Sequence, residues 1–162
     1  MKKKLKLLVI HCTATPSGRE VSSDDIRHWH TDSQPQGRGW SRVGYSDLIH
    51  LDGTVENLHE FDHDNWVDPE EVTNGAKGFN GEARHICYVG GVESNMKAMD
   101  TRTPAQYESL LVYCKHMIHR HPDILIAGHN ELSTKDCPSF NVSHFLEING
   151  IPAKNIYKYY QP

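Results

Sequence analysis

The chain has 162 residues, 37% of them hydrophobic and 23% charged, with a formal net charge of −4. That length supplies one domain with a substantial core and argues against two independent folding units. The excess of acid over base argues against nucleic acid as a partner, and no apolar run approaches the ~18 residues of a membrane span.

Twelve histidines stand out. They soften the charge balance near pH 6 and raise the question of a metal without answering it. The cysteines Cys12, Cys87, Cys114 and Cys137 contain no CxxC pair and are too scattered for a disulfide framework, so free thiols are expected.

In chain order, the lysines at 2, 3, 4 and 6 imitate the basic start of a secretion signal. The apolar run behind them, Leu7 to Ile10, is shorter than the roughly 7–15 residues of a signal core. The expectation is cytoplasmic synthesis without a signal peptide, and a strand from Leu5 to Cys12 buried on both faces. Ser22 to about Ser33 reads as a helix capped by Ser22 or Ser23, with Asp24 and Asp25 in its first turn and Ile26 and Trp29 facing the core. Gly44 to Leu51 and Thr54 to Leu58 form a hairpin about Asp52-Gly53.

A polar stretch without periodicity follows, from Asp62 to Ala83, of a length usually reserved for function or disorder. Arg84 to Val89 resumes as a strand. Thr103-Pro104-Ala105-Gln106 is a capping box with proline at the first helical position. It opens a helix whose Tyr107, Leu110, Leu111, Cys114, Met117 and Ile118 share one face up to His121-Pro122. Ile124 to Ala127 is a short strand, Gly128 to about Asn141 a loop, and a last helix ends at Asn149 before Gly150. Alternating strands and helices predict an α/β domain over residues 1–162: a central mixed β-sheet flanked by helices, a core of about 5–149, and a tail from 150 to 162.

Three residues with donor atoms suited to zinc fall at strand ends or in adjoining loops: His11, His129 and Cys137. Two imidazoles and a thiolate, with one position left for water, form a catalytic zinc arrangement. Spacing alone does not select it, because each histidine taken singly reads more readily as a surface or hydrogen-bonded residue. Cys137, in a polar loop beside Pro138, is unusual for a cysteine that merely packs. Cys12 follows His11 along a strand and must point to the opposite face.

The segments His11-Cys12-Thr13-Ala14-Thr15, Ile26-Arg27-His28-Trp29-His30, Val43-Gly44-Tyr45 and Leu51-Asp52-Gly53-Thr54-Val55 together resemble a known family. So do Ala76-Lys77-Gly78-Phe79-Asn80, Val89-Gly90-Gly91, Thr103-Pro104-Ala105-Gln106 and Lys135-Asp136-Cys137-Pro138-Ser139-Phe140. The family is the zinc-dependent N-acetylmuramoyl-L-alanine amidases of the bacteriophage-lysozyme type, relatives of the peptidoglycan-recognition proteins. The matches run in order over about residues 5 to 149.

The resemblance implies a peptidoglycan or muropeptide substrate, cleavage of the amide between N-acetylmuramic acid and L-alanine, and one zinc ion per chain in a surface groove at the strand ends. It implies His11, His129 and Cys137 as ligands and Tyr45 and Lys135 as catalytic residues. Lys135 would stabilise an oxyanion, and Tyr45 would orient rather than abstract a proton, its ordinary pKa near 10 making it a poor base. A monomer is expected, reaching the wall through a holin, another export route or lysis. The alternative is a non-catalytic recognition module of the same fold, but modules that only bind typically lack the cysteine kept here as Cys137. A structural zinc is disfavoured, since closed sites usually use four protein ligands.

Two positions depart from the pattern. Related phage amidases carry histidine where this chain has Gly75, and tend to have a small residue where it has His85. The pair reads as a compensating swap in which His85 projects toward the zinc groove and joins Phe79 and Asn80 in contacting substrate; the opposing reading leaves His85 on the surface. The loop from Asp62 to Ala83, with Trp66, Phe79 and Asn80, is a candidate groove wall; Trp40 is another, or a core residue.

Overall fold

The N-terminal apolar run sits near the middle of the sheet. In the computed structural model, which describes residues 1–162, nine strands and four α-helices alternate along the chain. The strands are β1 (Lys3–Lys4), β2 (Leu7–Cys12), β3 (Thr15–Pro16), β4 (Asp47–Ile49), β5 (Val55–Asn57), β6 (Trp66–Val67), β7 (Ala83–Tyr88), β8 (Gly91–Val92) and β9 (Leu125–Gly128). The helices are α1 (Ser23–Thr31), α2 (Pro104–Arg120), α3 (His129–Leu132) and α4 (Val142–Ile148). A five-stranded sheet has the order β5-β4-β7-β2-β9 and is parallel except for β5, which returns antiparallel beside β4. It is the mixed sheet expected from a βαβ pattern with one hairpin at its edge.

Alternation along the central strands gives the sheet two unlike faces. Leu8, Ile10 and Cys12 of β2, Ile86 and Tyr88 of β7 and Ile126 of β9 join Leu110, Cys114 and Met117 of α2 and Phe145 and Leu146 of α4 in the main core. On the other face α1 brings Ile26 against Leu48 and Cys87. Further along, Leu7, Val9, Ala83 and Leu125 form a small cluster. Both long helices start where local chemistry prescribes. Ser22 and Asp25 cap α1 reciprocally, and Thr103 and Gln106 do the same for α2, satisfying amide groups that the helix itself leaves free. The Gln106 amide also donates to Val89 O at 2.9 Å, tying α2 to the end of β7.

Several expectations shift. The strand expected over 44–51 shrinks to Asp47–Ile49, because the Gly44 N–H is taken by His30 Nδ1 at 3.0 Å instead of a strand partner. The stretch expected as a loop from Asp62 to Ala83 is largely pinned. Its β6 pairs antiparallel with β1, and Glu71 accepts from the buried Arg84 guanidinium at 2.7 Å and from the Asp62 and Asp68 amides. The start of the Gly128–Asn141 loop is the short helix α3. The tail docks on the body: Ile151 and Ile156 are buried, and the Asn155 amide donates to Pro122 O and Ile124 O.

Candidate metal centre and catalytic groove

His11, His129 and Cys137 come together. His11, near the end of β2, shares the face of Leu7 and Val9 by strand alternation, away from the main core. His129 opens α3 directly after β9. Gly128 permits that turn: a Cβ there would lie 2.8 Å from Val142 Cγ2 and 2.5 Å from Asn130 Oδ1. The Cys137 loop is held at two points. The Cys12 N–H donates to Cys137 Sγ at 3.3 Å, and the Tyr88 hydroxyl donates to Pro138 O at 2.7 Å. One donor atom from each of the three residues lies within 4.8 Å of the others, and His11 Nδ1 is 3.6 Å from Cys137 Sγ.

The surroundings keep the two imidazoles in their metal-accepting neutral form, while the thiol stays protonated until a cation displaces its proton. Burial first, then the neighbouring His85 and His129, lowers the His11 pKa well below its ordinary value, so the ring is a neutral imidazole. Burial, followed by Lys135, lowers His129 as well. The Cys12 thiol beside Cys137, with burial, raises the Cys137 thiol. Two neutral imidazoles and a thiol able to yield its proton to a cation form a set that suits zinc and leaves room for a further ligand.

The groove around this cluster has two adjoining lobes of about 330 and 430 Å³. Tyr45 and Lys135 line the first lobe with the three donor residues, and Lys135, His129 and Trp40 continue into the second. Tyr45 stacks 5.1 Å from His11, centroid to centroid. Burial raises its pKa well above 10, so at neutral pH its hydroxyl is a hydrogen-bond donor and no base. Lys135 is exposed at the rim.

The expected substrate-contacting residues separate. Asn80 lines the second lobe, and its side-chain oxygen accepts from the Ala76 N–H at 2.7 Å, bracing the loop. Phe79 instead packs against Leu7, Val9, Ala83 and Leu125 outside the groove, because the turn that aims Asn80 at the groove faces Phe79 toward the sheet. Trp66 lies on β6 beside Lys2 and is no groove wall, whereas Trp40 is one. His85 does not reach the groove: it is 0% exposed and lies beneath His11.

His30 is a groove residue that the sequence reading left out. Its ring packs between Trp40 and Tyr45, at 5.0 and 5.1 Å, and burial, with help from Arg38, pushes its pKa down to about 4. The signal was present, since Ile26 and His30 stand at i and i+4 and are the two buried residues of α1. Three other histidines, His59, His63 and His116, gather at a separate depression of about 1000 Å³.

With this geometry in hand, comparison with known proteins defines the family. The family model for N-acetylmuramoyl-L-alanine amidase matches residues 1–140. The endolysin of Escherichia phage T7 is 32% identical over 142 residues, covering 88% of this chain and 85% of that protein. Among solved structures, the N-acetylmuramoyl-L-alanine amidase LysC from Clostridium intestinale URNW superposes with a TM-score of 0.69 at 22% identity, over 92% of this chain and 87% of that one. Peptidoglycan recognition protein-LE, solved with tracheal cytotoxin, a monomeric diaminopimelic acid-type peptidoglycan, shares the fold at a TM-score of 0.61 and 20% identity, over 83% and 74%.

The chain belongs to the N-acetylmuramoyl-L-alanine amidase family. It is a hydrolase acting on peptidoglycan. No helix is long and apolar enough to cross a membrane.

Proposed function

We propose that residues 1–162 work as one zinc amidase domain in which His11, His129 and Cys137 hold the metal and Tyr45 and Lys135 complete the catalytic site. The observation that carries this reading is the convergence of three donor atoms within 4.8 Å in a groove that Tyr45 and Lys135 also line. Zinc bound there supplies a Lewis acid and an activated water at neutral pH.

The chain's own groups account for the rest. Lys135 brings a mobile cation to the oxygen that gains charge when the lactyl carbonyl becomes tetrahedral. Tyr45, protonated and braced by His30, donates a hydrogen bond and orients the reacting groups. Asn80 and Trp40 shape the second lobe for the stem peptide or the sugar. Breaking the amide adds hydroxyl to the lactyl carbonyl and leaves the L-alanine nitrogen as a free amine. The endolysin relatives support a lytic role on the cell wall from within the producing cell.

Metal analysis with digestion of purified peptidoglycan tests this. Wild-type protein should retain about one zinc per chain and generate new N-terminal alanine, detectable by mass spectrometry. Cys137→Ser should lose both zinc and product. A folded, active, metal-free enzyme would overturn the metal assignment, and new reducing sugar without new amine would overturn the bond assignment.

A further inference from the structure

His85 is the most deeply buried polar group near the metal centre that the mechanism above does not use. It lies on β7, whose register sets Val9 opposite His85 and His11 opposite Cys87. Residues 11 and 85 are therefore diagonal neighbours on one face of the sheet. Their rings meet at a centroid distance of 5.1 Å, with His11 Nε2 3.0 Å from His85 Nδ1.

The two nitrogens of His11 thus have different partners. Nδ1 faces Cys137 Sγ, and Nε2 faces His85. A neutral imidazole carries one N–H and one lone pair. If Nδ1 is to bind a metal, its proton must sit on Nε2, and His85 Nδ1 is the acceptor placed to receive that bond. His85 makes no other side-chain hydrogen bond, since its Nε2 has no protein partner. Nothing else on the protein competes for its tautomer, which is free to follow His11. A wholly buried imidazole with one nitrogen unpaired costs stability. Apolar packing alone does not explain its presence.

Gly75 makes the space. A Cβ at this position would sit 2.6 Å from His85 Cγ and closer still to Nδ1, and 2.7 Å from Gly44 O. Its backbone is not in the left-handed region, so glycine is required here for room and not for φ. Because Gly75 lines both lobes of the groove, its backbone forms the floor under which His85 fits. Any side chain at 75 would displace the ring that supports His11.

We infer that His85 is a positioning residue that accepts the His11 Nε2 proton and thereby fixes the tautomer and angle with which Nδ1 meets the metal, and that Gly75 is its obligatory partner. The supporting imidazole stands one layer below the groove, behind the ligand. This rests on His11 being a metal ligand. Outer partners of ligating histidines typically contribute about 10- to 100-fold to metal affinity.

The experiment compares wild type with His85→Ala, His85→Asn, Gly75→Ala and the Gly75→Ala/His85→Ala double variant. Each is checked for folding by circular dichroism and titrated with zinc against a competing chelator. His85→Ala and Gly75→Ala should each weaken zinc binding about 10- to 100-fold, and the double variant should be no weaker than either alone. His85→Asn, whose amide oxygen can accept the same proton, should recover most of the affinity.

A metal-free readout separates this inference from the zinc assignment. Nitrogen-15 NMR of the apo protein should show His11 as the Nε2–H tautomer with a slowly exchanging proton, and that protection should vanish in His85→Ala. A protonated His11 Nδ1 in the wild type, wild-type zinc affinity in folded His85→Ala, or additive losses in the double variant would each overturn it. Loss of folding in His85→Ala leaves the Asn variant and the wild-type tautomer to decide.

Discussion

The two faces of the sheet are built from the same strands and obey different rules. One face, under α2 and α4, is a continuous apolar cluster in which Leu8, Ile10, Ile86 and Ile126 are each 0% exposed. The other interrupts its apolar packing with His11 and His85, buried side by side between two smaller clusters. The first face contributes burial energy, and the second spends part of it to hold imidazoles neutral and aimed. Stability and chemistry are thus separated by the alternation of a single strand, β2.

Substitutions on the two faces should fail in different ways. Leu8→Ala, on the apolar face, should cost about 2–5 kcal/mol of stability, read as a lower urea midpoint. The fraction that stays folded should bind zinc and turn over normally; selective loss of metal at unchanged stability would break the division. Lys135→Ala, at the exposed rim, should leave the urea midpoint unchanged and lower kcat by about 10²- to 10³-fold. Measured turnover within a few-fold of wild type would remove Lys135 from catalysis.

The smallest effect concerns pH. His30 is neutral in the fold, with its pKa pushed down to about 4 from an ordinary 6.5. Between those values the unfolded chain binds a proton that the native state refuses. Its contribution is therefore intact above about pH 6.5 and is lost as pH falls toward about 4, by at most about 1.4 kcal/mol per pH unit. Urea titrations of metal-free protein at pH 7 and pH 5 should show the drop, and His30→Asn should reduce it. An identical pH dependence in that variant would assign the loss to other groups.

The apolar face was legible from periodicity. The helix expected after Thr103 runs from Pro104 to Arg120 with Leu110, Leu111, Cys114 and Met117 buried on one side, as their spacing requires. The buried run at the N-terminus is β2, and Asp52-Gly53 turns between β4 and β5. The polar stretch from 62 to 83 was not legible in this way. Its anchor is the ion pair between Glu71 and Arg84, which lies inside a protein interior that composition alone assigns to apolar residues. Phe79 and Asn80 are adjacent, yet one packs on the sheet and the other faces the groove. Irregular backbone has no period from which to predict that division.

Motif order was enough to nominate His11, His129, Cys137, Tyr45 and Lys135, because chemistry demands particular donor atoms and the chain retains them. It also singled out positions 75 and 85 for inspection. Which way His85 points could not be read from the chain, since a histidine on a buried strand can face either a groove or a neighbour. Register and steric room decide that. The parallel pairing of β2 with β7 sets ring against ring, and the missing side chain of Gly75 leaves the volume that His85 fills. Local periodicity and residue chemistry are written in the linear order of the chain. Distances between residues 74 positions apart exist only once the strands have paired.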